Sequence, residues 1–136
     1  GWMNKEHIPE LKFSADGSIL TLHVVDSRSL LPANAKPFEA KIREMAATSD
    51  VAFLAIISPA LRSIDMGVPT YWINNTINPA MRIKAIAVVS QLTTVRATMK
   101  GFAQANKLIG GKLAVDVFAT EGEARVWLTG LGFGKK

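Results

Sequence analysis

The run Ile83-Lys84-Ala85-Ile86-Ala87-Val88-Val89 holds a single charge among apolar residues. A strand of that composition is buried on both faces, so the chain must supply cover on each side of a sheet. A helical pattern follows from Leu92 to about Asn106, with Leu92, Val95, Met99 and Phe102 on one face. Ser90 is placed to cap it. Gly101 weakens its interior by about 1 kcal/mol relative to alanine and marks a candidate close approach. After Gly110-Gly111 comes a second β-rich run, Leu113 to Phe118. Two such runs separated by an amphipathic helix form a βαβ unit, and hence a parallel pair.

The rest of the chain reads as cover for that unit. Glu10 to Ala15 alternates and is followed by Asp16-Gly17, a strong hairpin signal, and then by the strand Ser18 to Val25. The hairpin belongs at a sheet edge, with His23 on its more polar face. Asp26 to Lys36 reads as a loop. Pro37 suits the first turn of a helix that buries Phe38, Ile42 and Met45 and stops near Thr48. Val51 to Ser58 is a third buried strand, ended by Pro59. Met66 to Pro79 is read as a helix because parallel strands need a long crossover, although Thr70 to Ile73 also has strand character. Thr120-Glu121-Gly122-Glu123 is a capping box. It opens a last helix over Ala124, Trp127 and Leu128 that ends near Gly130, with a frayed tail beyond. The predicted order is ββαβαβαβα: one α/β domain over residues 1–136, its core about 10–129. Its single mixed, mostly parallel sheet carries an N-terminal antiparallel hairpin and about four covering helices.

The composition excludes several classes of function. Hydrophobic residues make up 49% of the 136, enough for a real core. There is no cysteine, which rules out disulfides, thiolate metal sites and a cysteine nucleophile. No apolar run approaches the ~20 residues that span a bilayer. Met3 is a candidate natural start behind Gly1-Trp2, no apolar signal core follows it, and a cytoplasmic location is the expectation. The net charge of +5 is uneven, −1 over residues 1–65 and +6 over 66–136, with no acidic residue between Met66 and Val115. Arg96, Lys100 and Lys107 form a basic stripe beside the apolar face of the Leu92–Asn106 helix. Such asymmetry marks either an anionic partner or a solvated rim.

Three stretches then carry a resemblance. Ile19 to Val25, the loop and the helix 38–48 come first. Leu54 to Gly67 (LAIISPALRSIDMG) is second, and Ala114 to Leu128 (AVDVFATEGEARVWL) is third. Together they resemble the STAS domain, the SpoIIAA-like fold of anti-sigma-factor antagonists, over about residues 10–129. The third stretch looks like the last strand and the F-x-x-x-x-E-A-x-x-W-L helix of SpoIIAA-like proteins. In the second, Asp65 matches the aspartate of the family's switch loop. The resemblance implies a regulatory protein-interaction module. The family's phosphorylatable serine falls at Met66 or Gly67 and the aspartate of the preceding strand at Ile57, so the usual kinase switch is not expected. Ser58 and Ser63 are nearby hydroxyls that no motif singles out.

Catalytic chemistry is not legible. His7 and His23 are the only histidines, and neither lies near a nucleophile motif. Gly111-Lys112 has Asn106 in the first glycine's place of a phosphate loop and Leu113 in the last. No His/Asp/Glu spacing suits a metal, and no cofactor is expected. Asp26, Asp65 and Asp116 are the carboxylates near predicted strand ends or within strands, the sole candidates for an unfamiliar enzyme.

Two readings remain. The first is a non-enzymatic interaction module with another protein as partner, a homodimer included. Its surface is the switch-loop equivalent Ser58, Arg62, Ser63, Asp65, Met66 and Gly67. The alternative is a protein that binds a small apolar ligand or lipid, with Tyr71, Trp72 and Met99, beside Met66, lining a pocket. The plainer view of those three is that they are core. Weak attraction of anionic lipid to the stripe is kept open beside these. Nucleic acid is not, because the stripe lacks interleaved exposed aromatics.

Overall fold

A computed structural model describes residues 12–25, 32–61, 82–108 and 113–134. Its centre is one five-stranded sheet in the spatial order β1-β2-β3-β4-β5. The strands are β1 (Lys12–Asp16), β2 (Ile19–Val24), β3 (Val51–Ile57), β4 (Ile83–Val89) and β5 (Ala114–Phe118). β1 and β2 are antiparallel and the other pairings are parallel. The described helices are α1 (Pro32–Ala46), α2 (Thr93–Leu108) and α3 (Glu121–Gly130). This is the α/β architecture expected, with the hairpin at an edge. The helix expected over 66–79 lies outside the described residues.

The hairpin closes through Gly17 and Ser18, since Asp16 pairs with Ile19. Gly17 has φ 61°, and only glycine enters that region without strain at the first position of such a turn. α1 begins five residues before the sequence expectation. Pro32, not Pro37, takes the first turn, where its missing N–H costs nothing. Pro37 lies inside the helix and leaves one carbonyl without its usual donor.

Register sorts the side chains into two unlike layers. On the α1/α2 side, the row Leu20–Phe53–Ile86–Val115 crosses four strands. Ile42 and Ala46 of α1 and Val95 and Met99 of α2 pack on this side. On the other side, the row Ile19–Ala52–Ala85–Ala114 is followed by Thr21–Leu54–Ala87–Asp116. There Ala124 and Leu128 of α3 pack against Ala52, Ala85 and Ala87. Alanines let the helix lie close on the strands. Trp127 meets Phe118 with ring centroids 5.4 Å apart.

The alternation holds because β4 carries a bulge. Val51 pairs with Ile83 and Ala52 with Ala85, so Lys84 is the extra residue, and it is exposed. The shift puts Ile83 on the same face as Ile86 and Val88. Arg82 anchors the start of the strand. Its N–H donates to the Ala46 carbonyl (2.8 Å), its carbonyl accepts from Val51 N (2.9 Å), and its Nε meets Asp50 Oδ1 at 2.7 Å.

Both ends of α3 are closed by side-chain and backbone geometry. Thr120 is the N-cap: its Oγ1 accepts from Glu123 N (3.3 Å) and donates to Glu123 Oε1 (2.9 Å). The tail expected to fray from Gly132 is held by hydrogen bonds as far as Gly134. Gly132 adopts φ 99°, its N–H donates to the Thr129 carbonyl (2.9 Å), and Phe133 N–H donates to the Leu128 carbonyl (3.1 Å). This is a complete Schellman motif. It turns Phe133 onto the alanine side of the sheet, and Gly134 N–H then reaches Ser18 Oγ at 3.0 Å.

Among the described residues the close approach expected at Gly101 is absent: a Cβ there meets none of them within 4 Å. Two glycine substitutions should therefore differ in sign under urea unfolding. Gly101→Ala should stabilise the protein by about 0.5–1 kcal/mol. Gly132→Ala should destabilise it by about 1–2 kcal/mol, because an L residue resists positive φ.

Candidate interaction site

The parallel strands β2 to β5 end at one rim, which carries the first part of the predicted switch loop. Ser58 directly follows β3. Its N–H donates to the Val24 carbonyl (2.8 Å) and its carbonyl accepts from Leu61 N (3.1 Å). Its Oγ accepts from Ala60 N (3.2 Å). The hydroxyl thus holds a tight turn at Pro59-Ala60. Arg62, Ser63, Asp65, Met66 and Gly67 lie outside the described residues, as do Asp26, Tyr71 and Trp72.

Next along the rim is Ser90, fully buried. Its N–H donates to the Phe118 carbonyl (3.0 Å), extending the β4–β5 ladder by one bond. Its Oγ accepts from Leu92 N (3.0 Å). Leu92, whose carbonyl accepts from Arg96 N (3.0 Å), occupies the cap position of α2, so Ser90 secures the entry to the helix rather than capping it. Gln91, which the sequence did not single out, donates from Nε2 to the Ala119 carbonyl (3.0 Å) and ties this loop to the next. Thr120 caps α3.

Asp116 lies on β5, the last strand of the described sheet. Its Oδ1 accepts from Val117 N (2.8 Å). Since Phe118 directs its carbonyl to β4 through Ser90, the backbone of Val117, one residue earlier, faces the open edge. The carboxylate therefore covers an edge donor. His23 is half-buried and pairs in register with Ile56. Among the described residues no three His, Cys, Asp or Glu side chains are grouped to hold a metal. No described helix is long and apolar enough to cross a membrane.

Met99, expected as a pocket wall, is 2% exposed and packs in the main core with Val95. The basic stripe does form on α2. Lys100 and Lys107 are exposed and Arg96 is half-buried, and these three make no ion pair among the described residues. Among the described residues one buried polar group has no partner, the Oγ1 of Thr21 under the α3 layer. The β-branched, alternating strand gave no sign that this side of β2 would be sealed.

Comparison with known proteins finds no matching family model, curated relative or solved structure.

An unpartnered buried hydroxyl costs stability. Thr21→Val removes it at nearly constant volume and should raise the unfolding free energy by about 1 kcal/mol. A loss in its place would show that the hydroxyl has a partner in solution.

Proposed function

We propose that this chain is a non-enzymatic, STAS-like interaction module whose partner surface begins at Ser58 and runs through Asp65 to Gly67. The mixed sheet with its N-terminal hairpin is compatible with a STAS-like fold. One observation carries the functional reading. The polar side chains at the described rim, those of Ser58, Ser90, Gln91 and Thr120, are hydrogen-bonded to loop or helix-start backbone, three of them to N–H groups close by in sequence and Gln91 to the Ala119 carbonyl of the neighbouring loop. They hold loops in shape and are engaged in capping rather than grouped around a reacting atom.

Strand order points the same way. Ligand crevices of open α/β sheets form where the strand order reverses, and β2 to β5 follow one another without reversal. Among the described strands there is no such reversal, and rim loops held in shape suit recognition of another protein by surface complementarity. With Met66 and Gly67 where the family's serine stands, the module acts by binding and is not switched by phosphate at that position.

The test is affinity capture from extract of the protein's own cells, comparing wild type, Asp65→Lys and Thr129→Lys on exposed α3. Asp65→Lys should weaken retention of at least one bound protein by tenfold or more, the size of a hot-spot loss, while Thr129→Lys keeps it. The same proteins retained by both variants would contradict the surface assignment. A bound mass of a few hundred daltons in native mass spectrometry would favour a small ligand.

A further inference from the structure

The two helical layers differ in charge. Among described side chains, the α1/α2 layer carries Lys41, Arg43, Arg96, Lys100 and Lys107 against Glu39 and Glu44. Lys41 is matched by Glu44 at 3.9 Å, while Arg43, Arg96, Lys100 and Lys107 make no ion pair among the described residues. The α3 layer carries Glu121 and Glu123 against Arg125, which is bound to Glu121 at 2.7 Å and lies 3.7 Å from Asp16. The described helical layers are therefore polarised across the sheet, cationic on the α1/α2 side and weakly anionic on the α3 side.

On α2 the described outward side chains between the cations are small or polar. Along α2 the outward positions include Thr93, Thr94, Ala97, Gly101, Gln104 and Ala105. The exposed large apolar residues of the described structure, Val25, Val126 and Leu131, are not on α1 or α2. Arg96 to Lys107 spans about 16 Å of helix.

We propose that the α1/α2 layer docks electrostatically on an anionic phospholipid surface, with Arg96, Lys100 and Lys107 as the contacting cations and lipid phosphates as their partners. A protein partner needs an apolar or aromatic anchor at the centre of its contact, and single-stranded nucleic acid needs stacking aromatics. Among its described side chains, α2 offers neither outside its core-facing side. A plane of phosphates needs only accessible cations free of internal carboxylates. The weak opposite charge of the α3 layer orients the molecule toward such a plane. Each cation near an anionic leaflet strengthens binding about fivefold, so three give on the order of a hundredfold. The contact is reversible, since without an inserted apolar group it is a single weak signal. It is separate from the switch-loop reading, because its residues lie on α2 and none on residues 58–67.

The test is co-flotation with vesicles of phosphatidylcholine alone or roughly 7:3 with phosphatidylglycerol, at about 0.05 M and about 0.5 M salt. Two folded variants with the same drop in net charge are compared. One is Arg96→Gln/Lys100→Gln/Lys107→Gln. The other adds three carboxylates away from the stripe, Ser14→Glu/Val126→Glu/Thr129→Glu. Binding should need phosphatidylglycerol, vanish at high salt, fall on the order of a hundredfold in the first variant and persist in the second. Equal loss in both variants would reduce the effect to net charge and overturn the proposal. So would absence of binding by the wild type. Stronger binding to soluble polyglutamate or to DNA than to the vesicles would overturn the bilayer in favour of an acidic protein or a nucleic acid.

Discussion

β4 is buried on both sides, and its two faces are built from residues of different size. Ile83, Ile86 and Val88 meet the α1/α2 layer, and Ala85, Ala87 and Val89 meet α3. This difference decides how each layer docks. Large aliphatics fill the gap beneath two helices, where burial of each contributes about 1.5–3 kcal/mol. Alanines leave room for one helix to lie close, with Leu128, Trp127 and Phe133 supplying the bulk that the strands lack. The bulge at Lys84 keeps the two sets in phase. If residues 83–89 alternated regularly, with no bulge to take up Lys84, Ile83 would share a face with the alanines and stand beneath α3.

The second face depends on a short stretch of chain. α3 covers it alone among the described helices, and the Schellman turn at Gly132 extends that cover by folding Phe133 back. Gly134 then joins Ser18 of the first hairpin, so the end of the described chain is tied to its beginning. The sealed face includes Thr21, whose hydroxyl is left without a partner. Tight cover over alanines thus carries a small polar cost.

The strands and the start of α3 were legible because they rest on local rules: unbroken apolar runs at 51–57 and 83–89, a glycine at the hairpin and a Thr-x-x-Glu cap. What escaped the sequence rests on competition between alternatives. Pro32 and Pro37 both suit a first turn, and the alanines between them tipped the start to the earlier one. Lys84 inside an apolar run was the only trace of the bulge. Leu131-Gly132-Phe133 carries the glycine and apolar residue of a Schellman motif, yet reads as a tail when it stands last. The rim was hardest to read. Ser90 and Gln91 matter through bonds to backbone groups that only the register brings near, and Asp116 draws notice as a carboxylate while its structural part is to cover an edge amide. The basic stripe was visible in the spacing of 96, 100 and 107, but the opposite charge of the α3 layer became clear only once the sheet separated the two.

The most direct test of this account is amide hydrogen exchange on Ala87→Leu. The substitution overfills the close contact beneath α3 and should destabilise the protein by about 1–3 kcal/mol. The account predicts that protection is lost first across α3 and residues 131–134, while α1, α2 and the strand ladders keep theirs. Uniform loss over the whole chain, or unchanged protection of α3, would contradict the claim that alanines on this face set the seat of that helix.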